Sequence, residues 1–440
     1  MKKTILAQAI LAVLIGAPLV ASATEAELMQ RLDQMAAELK QMKAELSASK
    51  QKTEALEQRQ NAQAAAPATA PVAAAPATEA VASTSGIALG ASTVLSSYGE
   101  VNYSRPRHDG SAAETDVARA VIGVTHRFDD KTKMVAEFEW EHAVTSATDS
   151  GEAAVEQLYV EREFGNGLRA KGGLFLIPAG LLNTNHEPTA YYGVQRNFVE
   201  TAIIPSTWRE AGVGLSSTMD NGLTWDLGLT TGFDLTKWDS TSEDGRASPL
   251  GSIHQEGQHA KSRNLALHGA LNWRGVPGLL LGGSVFTGKL AHGTADFAAP
   301  DARLTLWDLH ARYTPGKWDL STVYARGTIS DTEAFNLANA GSPTPVPSSF
   351  YGWYAQAAYQ LWKNSDYKLS PFIRYEQFNT AKSYSAMPAG LGIATAADEK
   401  VWTAGANFNI GEGVVVKADY QKFKQDNSRD RVNLGLGYSF

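Results

Sequence analysis

Cysteine is missing from all 440 residues, so the chain has neither a disulfide framework nor a thiolate metal site, and the redox compartment stays open. Positive charge is in short supply as well. Thirty-nine lysines and arginines face 46 aspartates and glutamates, a net of −7, which gives no basic field for holding nucleic acid. Catalytic and metal signatures are also wanting. No G-x-S-x-G elbow occurs, "HEPTA" at His186 lacks the second histidine of H-E-x-x-H, and "DSTSEDG" lacks the glutamate of a calcium loop. His142 near Ser146 and Ser150 is the best local candidate for a catalytic set, and nothing suggests a cofactor or a metal. Beyond the first residues there is no run of 18 apolar residues, which excludes an ordinary transmembrane helix but not a barrel whose strands are apolar on alternate residues.

The amino terminus carries "MKK", an apolar run from Ile5 to Val20 and then Ala21-Ser22-Ala23, the pattern of an export signal removed after residue 23. In residues 24–60, Leu28, Leu32, Met35, Leu39, Met42 and Leu46 follow 4-3-4-3-4 spacing, the seam of a short coiled coil. Glu38 and Glu45 stand at g positions with Lys43 and Lys50 at the following e positions, so parallel chains would face opposite charges and a homo-oligomer is expected. A lone amphipathic helix is the alternative, because the seam weakens after Leu46. Residues 61–90 are rich in Ala and Pro, "AQAAAPATAPVAAAPATEA". Repeated proline prevents a continuous helix and the lack of large apolar residues prevents a core, so a semi-extended linker is expected.

From residue 91 the texture changes to short alternating segments, about sixteen in number. Every second connection is brief: "DDKT", "GNG", "MDNG", "RGVPG", "TPGK", "KNSD" and "GEG". An all-β, transmembrane antiparallel barrel over residues 91–440 accounts for this rhythm, with short turns at one rim, long loops at the other and both chain ends on the periplasmic side. The faces agree. Met134, Ala136, Phe138 and Trp140 alternate with Val135, Glu137, Glu139 and Glu141; turning those glutamates to lipid would cost several kcal/mol, so the apolar set faces out. In the last segment Val432, Leu434, Leu436, Tyr438 and Phe440 share one face. Such a strand closes a barrel, and Tyr438 with the terminal Phe440 resembles the signal read by the outer-membrane assembly machinery.

One connection stands apart, residues 178–207 between the fifth and sixth strands. Tyr191, Tyr192, Phe198, Ile203 and Ile204, with Trp208 at its end, make it too apolar for a loop in water, so it is expected to fold inward and narrow the bore. Around it, Gly172, Gly173, Pro178, Gly180, Arg196, Arg209, Gly212 and Gly214 resemble the pattern of the phosphate-selective porins O and P. That resemblance implies a sixteen-stranded trimeric porin of the Gram-negative outer membrane, passing small anions along basic residues in the pore. Arg119 and Arg127 on strand two, Arg169 and Lys171 on strand five, and Arg196 and Arg209 from the loop are the matching candidates. Glu137, Glu139 and Glu141 on the third strand are candidate partners for the strand-two arginines, so a basic ladder and a transverse ion-pair network both remain open. Expected partners are outer-membrane lipid, a second and third copy of the chain, small anionic solutes and the assembly machinery, with peptidoglycan a further candidate for the amino-terminal segment. An oligosaccharide or dicarboxylate porin, and an envelope-tethering barrel, are the alternatives.

Overall fold

The computed structural model describes residue 40 and residues 86–146, 148–385 and 395–440. The expected leader, the heptad positions Leu28, Leu32, Met35, Leu39, Met42 and Leu46, and nearly all of the linker lie outside the described residues.

Sixteen antiparallel strands form a closed barrel. The first eight are β1 (Thr93–Pro106), β2 (Glu114–Arg127), β3 (Thr132–Glu141), β4 (Glu152–Gly165), β5 (Leu168–Leu176), β6 (Arg209–Thr218), β7 (Leu223–Thr230) and β8 (Ala266–Trp273). They are followed by β9 (Leu279–Lys289), β10 (Arg303–Tyr313), β11 (Trp318–Ser330), β12 (Ser349–Tyr359), β13 (Tyr367–Ser383), β14 (Glu399–Ile410), β15 (Val414–Phe423) and β16 (Arg431–Ser439). Each pairs with its neighbours in sequence, and β16 returns to β1, from Arg431 opposite Pro106 to Ser439 opposite Tyr98. The ladder continues one residue further. Ser97 N donates to Phe440 O at 3.0 Å and Phe440 N to Ser97 O at 2.9 Å, so the terminal residue makes the closing rung. Closure leaves no open sheet edge, the condition hydrocarbon imposes on any strand within it.

Side chains alternate as the sequence pattern requires. On β3, Phe138 is 39% exposed on the outer face while the neighbouring Glu139 is 3% exposed on the inner one. The outer face also shows Val213, Leu267, Leu271, Leu309, Leu434 and Leu436, an aliphatic belt far too large for a water-facing surface and suited to lipid. Rings gather toward its borders. Tyr438 stacks on Phe440 at 6.2 Å near the turn rim, where Trp318 lies 4.8 Å from Tyr359 at a tilt, and Tyr375 lies 4.8 Å from Trp402 toward the loop rim.

Short connections at residues 128–131, 166–167, 219–222, 274–278, 314–317, 360–366 and 411–413 all lie at one rim. Asp129 shows why such turns form: its carboxylate accepts from Lys131 N and Thr132 N at 2.8 Å each and from Thr132 Oγ1 at 2.9 Å, replacing ladder bonds the backbone has lost. At the opposite rim the long loops turn inward. Phe233, Leu235, Trp238, Leu250 and Ile253 after β7, Leu290 and Ala299 after β9, and Val346 after β11 join Val199, Ile203 and Ile204 in one apolar cluster. Each large side chain sunk there is worth about 1.5–3 kcal/mol.

Candidate functional site

Residues 177–208 leave β5 and cross the bore before re-entering the wall at β6. Asn183 closes the base: its Nδ2 donates to Ile177 O (2.7 Å) and Trp208 O (2.9 Å), and its Oδ1 accepts from Trp208 N (2.7 Å). Gly180 sits at φ +65°, where any Cβ would collide with the Glu200 carboxylate, so the Pro-x-Gly step needs its glycine. Glu200 holds the loop to itself and to the wall, accepting from Leu181 N, Leu182 N, Asn197 Nδ2 and Tyr354 OH.

Most of the remaining wall grips the loop through inward polar residues. Asp308 on β10 accepts from Gly180 N at 3.2 Å, and Asp319 on β11 from Tyr192 OH at 3.2 Å. Glu376 on β13 accepts from Phe198 N at 2.6 Å, Asn407 on β14 from Gly193 N at 3.2 Å, and Asp419 on β15 from Val194 N at 2.6 Å. On the opposite side His186 Nε2 lies 2.8 Å from Glu156 Oε1 and 2.8 Å from Tyr98 OH, while Arg119 Nη2 donates to His186 O at 2.6 Å. The rings pack as well: Phe198 stacks on Phe378 at 5.2 Å, and Trp208 meets Phe286 at 4.6 Å and Phe233 at 5.3 Å.

The loop separates cavities at its two sides. Toward the turn rim lies one of about 450 Å³, lined by Arg274, Arg312, Arg374, His310, Tyr191, Tyr192 and Asp319 among others. Toward the loop rim lies one of about 330 Å³ with Glu100, Glu114, Asp116, Glu141, Arg119 and Arg196 in its wall. Adjoining it through Glu141, Thr201, Ser206 and Thr207 is a space of about 250 Å³ that holds Glu139, Glu152, Arg209 and Glu256. Carboxylates predominate on the loop-rim side and guanidinium groups on the turn-rim side.

The candidate residues therefore fall in different places. Arg119 and Arg196 face the 330 Å³ cavity; Arg196 donates to the Ser206 hydroxyl and to Thr207 Oγ1 at 3.0 Å. Arg209 pairs with Glu256 at 3.2 Å. Lys171 lies over the Phe175 ring at 4.3 Å, Arg169 donates to Thr218 Oγ1 at 3.4 Å, and neither lines those cavities. Arg127 is exposed at the end of β2. Glu137, Glu139 and Glu141 are the candidate partners that the sequence offers the strand-two arginines; the ion pair that Arg119 makes is with Glu100 of β1, Nε to Oε1 at 2.9 Å. Register supplies the reason. Arg119 stands opposite Glu141 on one side and Glu100 on the other, and a bulge at Ala118 follows the Glu100 pair, re-aiming the side chain toward β1 and under the loop. Glu137 instead accepts from Gln157 Nε2 at 2.6 Å. Sequence reading missed Glu100, His186, Glu200, Asp308, Asp319, Arg374, Glu376, Asp419 and Lys417. Alternation marks Tyr98-Glu100-Asn102 and Lys417-Asp419-Gln421 as inward, which was the available signal.

No family model matches the chain. An uncharacterized protein of Aquifex aeolicus (strain VF5) is 27% identical over 358 residues, 79% of each chain. Among solved structures, OmpF of Salmonella typhi in complex with daunomycin superposes with a TM-score of 0.55 at 16% identity, covering 79% of this chain and 97% of that one. The anion-selective porin from Comamonas acidovorans does so at 0.50 and 12% identity, covering 79% and 99%. The closed sixteen-strand wall and its inward loop are thus the fold of a porin-like outer-membrane channel.

Proposed function

We propose that the protein is a passive diffusion channel of the outer membrane that admits small anionic nutrients, phosphate-like ions among them. The observation that carries this reading is the cavity on the turn-rim side of the loop, where three arginines meet one aspartate. Arg312 pairs with Asp319 at 2.7 Å and Arg374 with the buried Glu376 at 2.8 Å, and guanidinium groups held in a narrow bore with a low-dielectric wall attract anions more than the same charges at an open surface. The carboxylate-rich walls on the loop-rim side oppose anion entry there, which favours a second reading, a channel without anion selectivity that passes polar solutes such as oligosaccharides. Planar-bilayer reversal potentials in a salt gradient decide between them. Anion preference is expected, reduced by Arg312→Ala and Arg374→Ala and by Arg196→Ala with Arg209→Ala. Cation preference that persists after Glu137, Glu139 and Glu141 are replaced by glutamine removes the anion claim and leaves the channel.

The assembly belongs to the same reading: three barrels joined by the heptad seam of residues 24–60, with Phe440 and Tyr438 serving as the insertion signal. Deleting residues 25–85 separates two roles. Monomers would assign the segment to trimer assembly, whereas intact trimers that lose cell-wall association would make it a tether to peptidoglycan.

A further inference from the structure

Tyr191 lines the cavity on each side of the loop. Its backbone is fixed, because Asn407 Nδ2 donates to Tyr191 O at 2.9 Å and the amides of Gly193 and Val194 are bound to Asn407 and Asp419. Its side chain is buried, 6% exposed, and makes two polar contacts. The hydroxyl donates to Glu100 Oε2 at 2.8 Å, and Lys417 Nζ stands 3.5 Å from the ring centroid. Both of these contacts are ones a small anion can replace: it competes with Glu100 for donors and with the ring for the lysine.

The groups behind the ring lack acceptors. Lys417 is 2% exposed and Arg119 is 4% exposed, yet Lys417 Nζ and Arg119 Nη1 have no hydrogen-bond partner. Arg119 Nε is bound to the same Glu100 that receives the tyrosine hydroxyl, so the four side chains form one cluster. Buried cationic N–H groups without acceptors are costly, and the cost is relieved when an acceptor reaches them.

The geometry points to Tyr191 as the gate of the channel: its ring closes the passage between the two cavities, and its rotation opens that passage and presents Lys417 Nζ and Arg119 Nη1 to a small inorganic anion. The inference rests on the channel reading, so the experiment reports on the two separately. Full-length protein in planar bilayers is compared as wild type, Tyr191→Ala and Tyr191→Phe in chloride and in phosphate. Conductance by the wild type tests the channel itself. Tyr191→Ala is expected to raise it several-fold, and Tyr191→Phe, which keeps the ring over Lys417 and loses only the bond to Glu100, to raise the frequency of openings at unchanged amplitude. Because the chain has no cysteine of its own, Lys417→Cys provides a clean second measurement. A charged methanethiosulfonate is expected to modify it several-fold faster when combined with Tyr191→Ala than with Tyr191 in place, and inorganic phosphate to block the Tyr191→Ala channel less once Lys417 is replaced by Met. Equal conductance of wild type and Tyr191→Ala, with equal modification rates, overturns the gate while leaving the channel. Silence of both overturns the channel and the gate together.

Discussion

At the scale of single residues, most of the chemistry concerns where a charge finds its partner. Glu200 takes four donors from the loop and the wall, so its carboxylate organises the constriction without facing a solute. At the loop rim His142 Nδ1 lies 2.8 Å from Asp116 Oδ1. That hydrogen bond, helped by the nearby carboxylates, holds the His142 pKa above its ordinary 6.5. The linkage follows from the sign: a raised pKa adds stability that is fully present below about pH 6.5 and disappears as pH rises through the folded value. Because both groups are more than a third exposed, screening keeps the gain within about 1 kcal/mol. His142 resonances should titrate above 6.5 by NMR, and Asp116→Asn should lower that value toward the ordinary one.

The decisive element is the loop of residues 177–208, which behaves as a strut. Its far end presses on β16 so closely that a Cβ at Gly437 would fall within Pro188, and Thr189 Oγ1 lies 2.7 Å from Ser439 Oγ beside it. Gly437→Ala should therefore push the strut off the wall, costing about 1–3 kcal/mol as overpacking does. Guanidinium unfolding should show an earlier midpoint, and single-channel records more noise than the wild type. An unchanged midpoint and quiet records would mean that the contact carries no load. The loop was legible as an inward element because Tyr191, Tyr192, Phe198, Ile203 and Ile204 demand burial. Its partners were not legible, since alternation tells that Asp419 or Glu376 points inward but not which amide waits there.

For the whole molecule, stability depends on two solvents, hydrocarbon outside and water with a folded loop inside. Leu436, 52% exposed and midway along β16, belongs to the outer belt. Leu436→Arg should cost about 2–4 kcal/mol in urea unfolding from lipid vesicles, whereas the rim substitution Tyr438→Arg should cost about 0–1 kcal/mol. Equal costs at both depths would deny that the belt lies in a bilayer. The strand number, the alternation of short and long connections and the closing role of the final strand were all readable beforehand, because each is a local property of a two-residue period or of turn chemistry.

The sequence by itself determined which side chains face lipid and which face the bore, where the turns fall and which connection must leave the surface, since those follow from strand geometry and the penalty of placing charge in hydrocarbon. Only the tertiary structure decided that Arg119 turns to Glu100 rather than to Glu141, that Lys417 lies beneath Tyr191, and that carboxylates gather on one side of the loop and arginines on the other. Those are contacts between residues far apart in the chain. They are set by register, by a bulge and by barrel closure, and no local pattern encodes them.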